Sequence, residues 1–156
     1  LLFTRRTDLV HDHKGQVSFP GGSFDPDDLS LMNTALREAH EEIGLRPNDV
    51  KILGQMGSLS TITNYIVTPV VGLIPWPYSF TPQPQEVSRV FTIPIDWLAD
   101  PKHYEIRQRS IPPNIQTDLP TRHFDVIYFS PYACETVWGV TAEITLRFLK
   151  ILGLAS

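Results

Sequence analysis

Two stretches decide the fold: Phe-Pro-Gly-Gly at residues 19–22 and Arg-Glu-Ala-His-Glu-Glu-Ile-Gly-Leu at residues 37–45. The first predicts a tight turn, because glycine adopts backbone angles and close approaches that side chains forbid. The second predicts the end of a helix, with Gly44 as a left-handed stop and Pro47 blocking any continuation. Together they predict a loop that leads into a helix over residues 31–43.

Three glutamates of the second stretch, Glu38, Glu41 and Glu42, lie close together on the predicted helix. Successive helical residues turn by roughly 100°, so Glu38 and Glu42 face the same way and Glu41 projects close to both. Like charges at this spacing repel, and a divalent cation would offset the repulsion. Carboxylate oxygens suit Mg²⁺ or Mn²⁺, which also bind phosphates and make a bound water more acidic. An ordinary solvated acidic face is the alternative for three glutamates taken alone.

This metal hypothesis assigns a role to each charged residue of the stretch. Glu38 and Glu42 are the primary ligands. Glu41 is a further ligand or the base that takes a proton from water. Arg37 precedes Glu41 by one helical turn and orients it through a charge-assisted hydrogen bond.

The same residues resemble the signature of the Nudix family, in which Gly, five residues, Glu and seven residues precede Arg-Glu-apolar-x-Glu-Glu-x-Gly-apolar. The second half fits at every fixed position from Arg37 to Leu45. The first half departs, because counting from Gly22 puts Asp28 at the acidic position and leaves eight residues before Arg37. The resemblance implies an α/β fold, the Nudix α/β/α sandwich with a curved mixed sheet between helices. It also implies a single domain over residues 1–156.

Two further site positions come from this resemblance. A backbone carbonyl of the glycine turn, at Gly22, joins the metal ligands, and an acidic residue from a later loop completes the site. Glu86, in Pro-Gln-Glu-Val, is the candidate for that residue, with an exposed loop carboxylate as its alternative. The catalytic base is therefore left open among Glu41, Glu38 and Glu86.

The flanking sequence looks like the coenzyme A diphosphatase branch of that family. Residues 15–22 read Gly-Gln-Val-Ser-Phe-Pro-Gly-Gly, and that branch tolerates the longer spacing and the aspartate at position 28. The likeness implies metal-dependent cleavage of the diphosphate of CoA, or of an acyl or oxidised CoA. The products are 3′,5′-ADP and 4′-phosphopantetheine or its acyl derivative. Arg5, Arg6 and Lys14 are the candidates for binding substrate phosphates, with solvated surface charge as their alternative.

Two other functions stay open. One is a Nudix hydrolase for another nucleoside diphosphate derivative, such as an oxidised nucleoside triphosphate. The other is a non-catalytic Nudix binding module, a class that usually loses a signature glutamate. Tyr65, Trp76 and Trp138 are the aromatic candidates for stacking on adenine, and core packing is the alternative for Trp138.

Composition narrows the class of protein. The chain has 156 residues, of which 42% are apolar and 19% charged, which is enough for one domain with a core. A net charge of −4 argues against general affinity for nucleic acid or a membrane surface, so a small-molecule nucleotide is the expected partner. A lone cysteine, Cys134, fits an intracellular reducing compartment, with cytoplasm, peroxisome and mitochondrion unresolved. The chain starts without Met, so a truncated N-terminal strand is expected. The oligomeric state is open.

Periodicity predicts the remaining elements. Alternating and β-branched runs predict strands at residues 1–4, 16–19, 50–56, 65–73, 87–95 and 124–129. A helix is predicted over 138–152 and a helical turn at 96–99. Residues 5–15, 76–85 and 101–121 are predicted as loops, and His11 and His13 in the first of them as incidental.

Overall fold

The computed structural model describes residues 1–8, 14–62, 64–111 and 123–155. His11 and His13 lie outside the described residues. The chain divides into two units, one made of Leu1–Met56 and Thr68–Thr92 and the other of Gly57–Val67 and Ile93–Ser156.

The described residues form nine strands and three α-helices. The strands are β1 (Leu2–Arg6), β2 (Val17–Ser18), β3 (Lys51–Gln55), β4 (Leu59–Ser60), β5 (Ile66–Val67), β6 (Val70–Leu73), β7 (Val87–Thr92), β8 (Tyr104–Ser110) and β9 (His123–Phe129). The helices are α1 (Leu31–Ile43), α2 (Ile95–Ala99) and α3 (Gly139–Ile151). Short 3₁₀ turns lie at Pro47–Asp49 and Pro101–His103. The predicted α/β class is confirmed. Every strand pairing of the described residues is antiparallel, a direction that periodicity alone does not predict. No helix within the described ranges has both the length and the hydropathy needed to cross a bilayer.

The first unit contains a three-stranded sheet in the order β2-β1-β7 and the pair β3-β6. Phe3 is fully buried, and its ring stacks on Phe19 at 4.9 Å and on Phe91 at 5.9 Å between centroids. A buried cluster of Ala39, Ile43, Leu45 and Val87 joins helix α1 to β7. Burying such side chains contributes roughly 1.5–3 kcal/mol each, so this contact holds α1 beside the sheet.

Helix α1 begins and ends where its sequence predicts. Ser30 is the N-cap, because its hydroxyl accepts a hydrogen bond from the Asn33 N–H at 3.2 Å. Gly44 ends the helix in the left-handed conformation, with φ of 69°. Glu42 differs from the other two carboxylates of α1, because it is buried, with only 5% of its surface exposed. Glu42 precedes Ile43 and follows Ala39 by three positions, so the helical turn brings it to the edge of the apolar face.

The second unit contains the hairpin-like pair β8-β9 and the short pair β4-β5. Helix α3 packs against β9, and α2 packs against α3. The buried side chains of this unit include Leu98, Phe129, Val137, Ala142 and Leu149. The predicted helix over 138–152 is thereby confirmed as α3.

Two predicted segments are wrong. Residues 101–121 are predicted as a loop, yet Tyr104–Ser110 is a seven-residue strand. Its residues after Tyr104 are all exposed, so the apolar side that marks a half-buried strand is missing from its sequence. The predicted strand at 65–73 is split into β5 and β6 around Pro69, because proline lacks the N–H that a continuous ladder requires.

Candidate functional site

The glycine turn lies directly against the first glutamate of α1. A β-carbon placed on Gly22 would lie 2.4 Å from the carboxyl carbon of Glu38. Such a distance is far inside van der Waals contact, so the Glu38 carboxylate occupies the space that a side chain at position 22 would need. The neighbouring Gly21 N–H donates a hydrogen bond to Glu42 Oε2 at 3.3 Å. The turn therefore contacts two of the three signature glutamates.

Arg37 joins the loop that follows the turn to the acidic face of α1. Its Nε and Nη2 donate to the two carboxylate oxygens of Asp28 at 3.1 and 2.9 Å, and Nη2 also donates to the Ser23 carbonyl at 3.1 Å. Its Nη1 donates to Glu38 Oε1 at 2.9 Å and to Glu41 Oε2 at 3.2 Å. The bidentate hydrogen bonds lower the pKa of Asp28 and raise that of Arg37, so both stay ionised. The expected contact of Arg37 with Glu41 is thus present.

Glu42 is the buried carboxylate of the group. Burial raises its pKa from 4.5 to about 7, against the lowering effect of the Gly21 hydrogen bond. The negative charges of Glu86 and Glu38 raise the pKa further, while Arg6 lowers it. These effects show that Glu38, Glu86 and Arg6 each lie within electrostatic reach of Glu42. Glu41 differs from them, because its side chain is 57% exposed.

A tight turn brings Glu86 to the site. The Gln83 N–H donates to the Glu42 carbonyl at 2.8 Å, and the Glu86 N–H donates to the Gln83 carbonyl at 3.0 Å. The Glu86 carbonyl in turn accepts from the Thr7 N–H at 2.9 Å. The turn thereby satisfies a carbonyl at the end of α1 and links it to the end of β1. This places the Glu86 backbone beside the end of α1, and the negative charge of its carboxylate acts on Glu42.

Arg6 is the predicted phosphate-binding residue that acts on Glu42. It is the last residue of β1 and pairs with Val87, next to Glu86. Its Nε is buried and has no hydrogen-bond partner among the described residues. A buried N–H without an acceptor is costly, and a phosphate oxygen would supply the acceptor. Arg5 precedes it and is half-buried, and Lys14 is exposed.

The three aromatic candidates are all at the surface. Tyr65 is 68% exposed and Trp76 64% exposed. Trp138 is 37% exposed, so it is not a core residue, and its ring stacks on that of Tyr128. Trp76 belongs to the first unit and the other two belong to the second.

No group of three or more aspartate, glutamate, histidine or cysteine side chains converges on a ready-made metal position within the described ranges. Arg37 holds Glu38 and Glu41 on its own side, and Glu42 is packed beneath the turn. The residues nevertheless fit a hard divalent cation. Their donors are carboxylate oxygens and a backbone carbonyl, and the glycine at position 22 lets that backbone lie against Glu38.

Two polar groups of the site have no side-chain signal in the sequence. They are the Gly21 N–H, which binds Glu42, and the Ser23 carbonyl, which binds Arg37. Backbone groups of this kind follow from the path of the loop, not from residue type. The longer spacing between Asp28 and Arg37 is the one sequence feature that indicates such contacts, because the loop must fold back onto α1 for these two residues to pair.

Comparisons with known proteins agree with the signature. The model of the NUDIX domain family matches residues 1–114. Two similar curated proteins are called "Uncharacterized Nudix hydrolase NudL". They come from Yersinia pestis (strain Pestoides F) and Yersinia pseudotuberculosis serotype O:1b (strain IP 31758). Each is 39% identical over 147 residues, which cover 92% of this chain and 68% of the relative.

Proposed function

The chain belongs to the Nudix family, and on that premise we propose that it hydrolyses the diphosphate of coenzyme A or of an acyl or oxidised CoA. As a hydrolase of phosphorus-containing anhydrides, it would release 3′,5′-ADP and 4′-phosphopantetheine or the acyl derivative. Substrates of this kind are small nucleotide derivatives with several negative charges. The site must therefore bind phosphates while it carries four glutamates, which requires compensating positive charge.

Family members use divalent cations, and we propose Mg²⁺ or Mn²⁺ here. Glu38, Glu42 and the Gly22 carbonyl would hold the ion, with Glu41 as a further ligand. When bound, the ion neutralises charge on the phosphates and makes a coordinated water more acidic. The raised pKa of Glu42 supports this assignment, because burial, and secondarily the neighbouring carboxylates, destabilise its charged form, which an adjacent cation would stabilise.

The chain's own residues provide the proton acceptor and its orientation. Water attacks one phosphorus atom, the bridging P–O bond breaks, and the proton released by the water passes to a carboxylate. Glu41 suits this role, because its exposed carboxylate is held by Arg37 at 3.2 Å. Glu86 is the second candidate, since it lies beside Glu42 on a turn tied to α1. The pH profiles of the Glu41→Gln and Glu86→Gln variants separate the two, because loss of the base removes the acidic limb.

The observation that carries the proposed substrate is the position of Arg6. Its buried Nε lies beside a carboxylate cluster and lacks an acceptor among the described residues, and a phosphate of the substrate would supply one. Arg6 lies in the segment just upstream of residues 15–22, the stretch that resembles the CoA diphosphatase branch. Arg5 and Lys14 of the same segment are the candidates for the 3′-phosphate.

A substrate panel with product analysis by mass spectrometry tests the proposal. CoA, acetyl-CoA, an oxidised nucleoside triphosphate, a dinucleotide and a nucleotide sugar are each incubated with the protein and Mg²⁺ or Mn²⁺. Release of 3′,5′-ADP from CoA is the expected result. Turnover of another nucleotide with CoA left intact would contradict the branch assignment and retain the family.

The Glu42→Gln variant tests the metal assignment. The amide keeps the shape but removes a charged ligand, so metal-dependent hydrolysis should fall at least about a hundredfold. The circular dichroism spectrum should stay that of the parent protein. Unchanged turnover would exclude Glu42 as a metal ligand.

A further inference from the structure

The exposed strand β8 carries an arginine and aromatic cluster that the proposed hydrolytic site does not use. Antiparallel pairing puts Glu105 opposite Tyr128 and Arg107 opposite Val126, so Glu105, Arg107 and Arg109 share one face with Tyr128. The guanidinium carbons of Arg107 and Arg109 lie 4.6 and 5.5 Å from the centre of the Tyr128 ring. Both distances are within the range of cation–π attraction.

Trp138 extends this cluster on the other edge of β9. Its backbone bridges to Tyr128, whose opposite edge is occupied by β8. The two rings lie nearly parallel, with an interplanar angle of 4° and 5.6 Å between centroids. Arginine, tyrosine and tryptophan therefore form a continuous row across the second unit, and the Trp138 end of it is exposed to solvent.

The charges of the two arginines are satisfied differently. Arg107 forms an ion pair with Glu105. Arg109 donates its Nε to the Tyr128 hydroxyl at 3.2 Å, which is an uncharged acceptor. No carboxylate pairs with Arg109 in the part of the chain that the structure describes. A guanidinium held by a ring along one side keeps a planar fork of N–H donors whose geometry matches phosphate.

We propose that this surface binds a nucleoside phosphate, with the base stacked on Trp138 and a phosphate on Arg109. Charge and shape favour this ligand, since the exposed Trp138 ring accepts any base and the Arg109 fork, at the hydroxyl of the adjoining Tyr128, accepts an anion. A nucleic-acid polymer fits less well, because it needs several free cations along its backbone and the chain carries a net charge of −4. The inference rests on the proposed function for the choice of probe, which is the product 3′,5′-ADP.

Isothermal titration of 3′,5′-ADP in the presence of EDTA, where no hydrolysis occurs, tests the proposal. Arg109→Gln should weaken binding about tenfold or more, through the loss of a charge-assisted contact. Trp138→Leu should weaken binding to a similar extent, and Trp138→Phe should restore most of it, because an aromatic face remains. Adenosine should bind weakly and should not respond to Arg109→Gln.

Matched variants decide between this surface and other sites. Arg147→Gln removes the same charge from an exposed arginine of the same unit, paired with Glu143, and should leave binding unchanged. Trp76→Leu removes an exposed tryptophan of the first unit and should also have no effect. The inference is overturned if Arg109→Gln and Trp138→Leu bind like the parent protein, or if Arg147→Gln weakens binding as much as Arg109→Gln.

The Arg6→Gln variant separates this inference from the proposed function. In that background Arg109→Gln should weaken metal-free binding of 3′,5′-ADP by the same factor as in the parent protein, whereas an effect of Arg109→Gln that disappears there would place the nucleotide in the first unit and overturn the inference. Cleavage of CoA in Mg²⁺ decides the proposed function independently. Cleavage of CoA together with nucleotide binding that Arg109→Gln does not change would overturn only the inference about β8. Binding of 3′,5′-ADP that depends on Arg109, with CoA left intact, would overturn only the proposed substrate.

Discussion

Gly22 shows how a single missing side chain shapes the site. The Glu38 carboxylate lies where a β-carbon would be, so steric exclusion, not backbone freedom, requires glycine at this position. The φ angle of Gly22 is not among the positive values found at other glycines, and alanine therefore meets no backbone strain there. A substitution at position 22 thus acts first on Glu38, whose carboxyl group supplies the three nearest atoms.

We expect Gly22→Ala to displace the Glu38 carboxylate and weaken Mn²⁺ binding by about 10- to 100-fold, as loss of ligand positioning generally does. Electron paramagnetic resonance of free Mn²⁺ measures the affinity. Gly57→Ala is the control, because a β-carbon there meets nothing within 4 Å. Equal Mn²⁺ affinity in both variants and the parent protein would show that the turn does not position a ligand.

The buried carboxylate of Glu42 predicts a pH-dependent stability of the metal-free protein. Its pKa is raised by burial from 4.5 to about 7, so between these values the folded state binds a proton that the unfolded state has released. The contribution of this proton to the free energy of unfolding is therefore fully present below about pH 4.5. It is lost as the pH rises to about 7, a decrease on the order of 3 kcal/mol. Urea unfolding in EDTA at pH 5 and pH 8 measures this change.

The Glu42→Gln variant removes that titration. Its free energy of unfolding should exceed that of the parent protein at pH 8 and approach it at pH 5. A parent protein that loses no more stability than this variant between the two values would rule out the raised pKa.

At the scale of the element, helix α1 is defined by its ends. Ser30 satisfies an N–H at one end, and Gly44 in the left-handed conformation closes the other. Gly44 also lies against the loop from the later part of the first unit, since a β-carbon there would be 3.0 Å from the Thr81 β-carbon. The helix end and the turn that carries Glu86 are consequently packed together.

Gly44→Ala should destabilise the protein by about 1–2 kcal/mol through the left-handed conformation, and by a further amount through the contact with Thr81. Gly153→Ala isolates the first effect, because Gly153 has φ of 70° and open space around its β-carbon position. Urea unfolding of both variants measures the difference. Equal losses would mean that the Thr81 loop yields to the added methyl group.

At the scale of the whole molecule, metal binding should be coupled to folding. A cation that binds only the folded protein raises the free energy of unfolding by about 2.7 kcal/mol at 100 times its dissociation constant. We expect Mg²⁺ to stabilise the parent protein against urea and to leave the Glu42→Gln variant unchanged. Stabilisation of both proteins to the same extent would place the cation elsewhere.

The sequence alone determined the local features. The limits of α1, its glycine cap and the partnership of Arg37 with Glu41 all arise within a few residues, where helical geometry and propensity decide the outcome. The family signature is local for the same reason. The signature identifies the residues of the site because carboxylates that share one cation need a fixed spacing along one helix and one turn.

Only the tertiary structure decided what depends on residues distant in the chain. Burial of Glu42 under a glycine turn and the approach of Glu86 arise when β1, α1 and the turn before β7 meet. The same meeting buries the Arg6 Nε without an acceptor in the described part of the chain. Strand β8 is held by its pairing with β9, and its exposed residues carry no apolar alternation that would predict this pairing. Side-chain burial and strand pairing depend on residues far apart in the chain. The sequence therefore identifies the glutamates, whereas the tertiary structure determines which residues surround them and raises the pKa of Glu42.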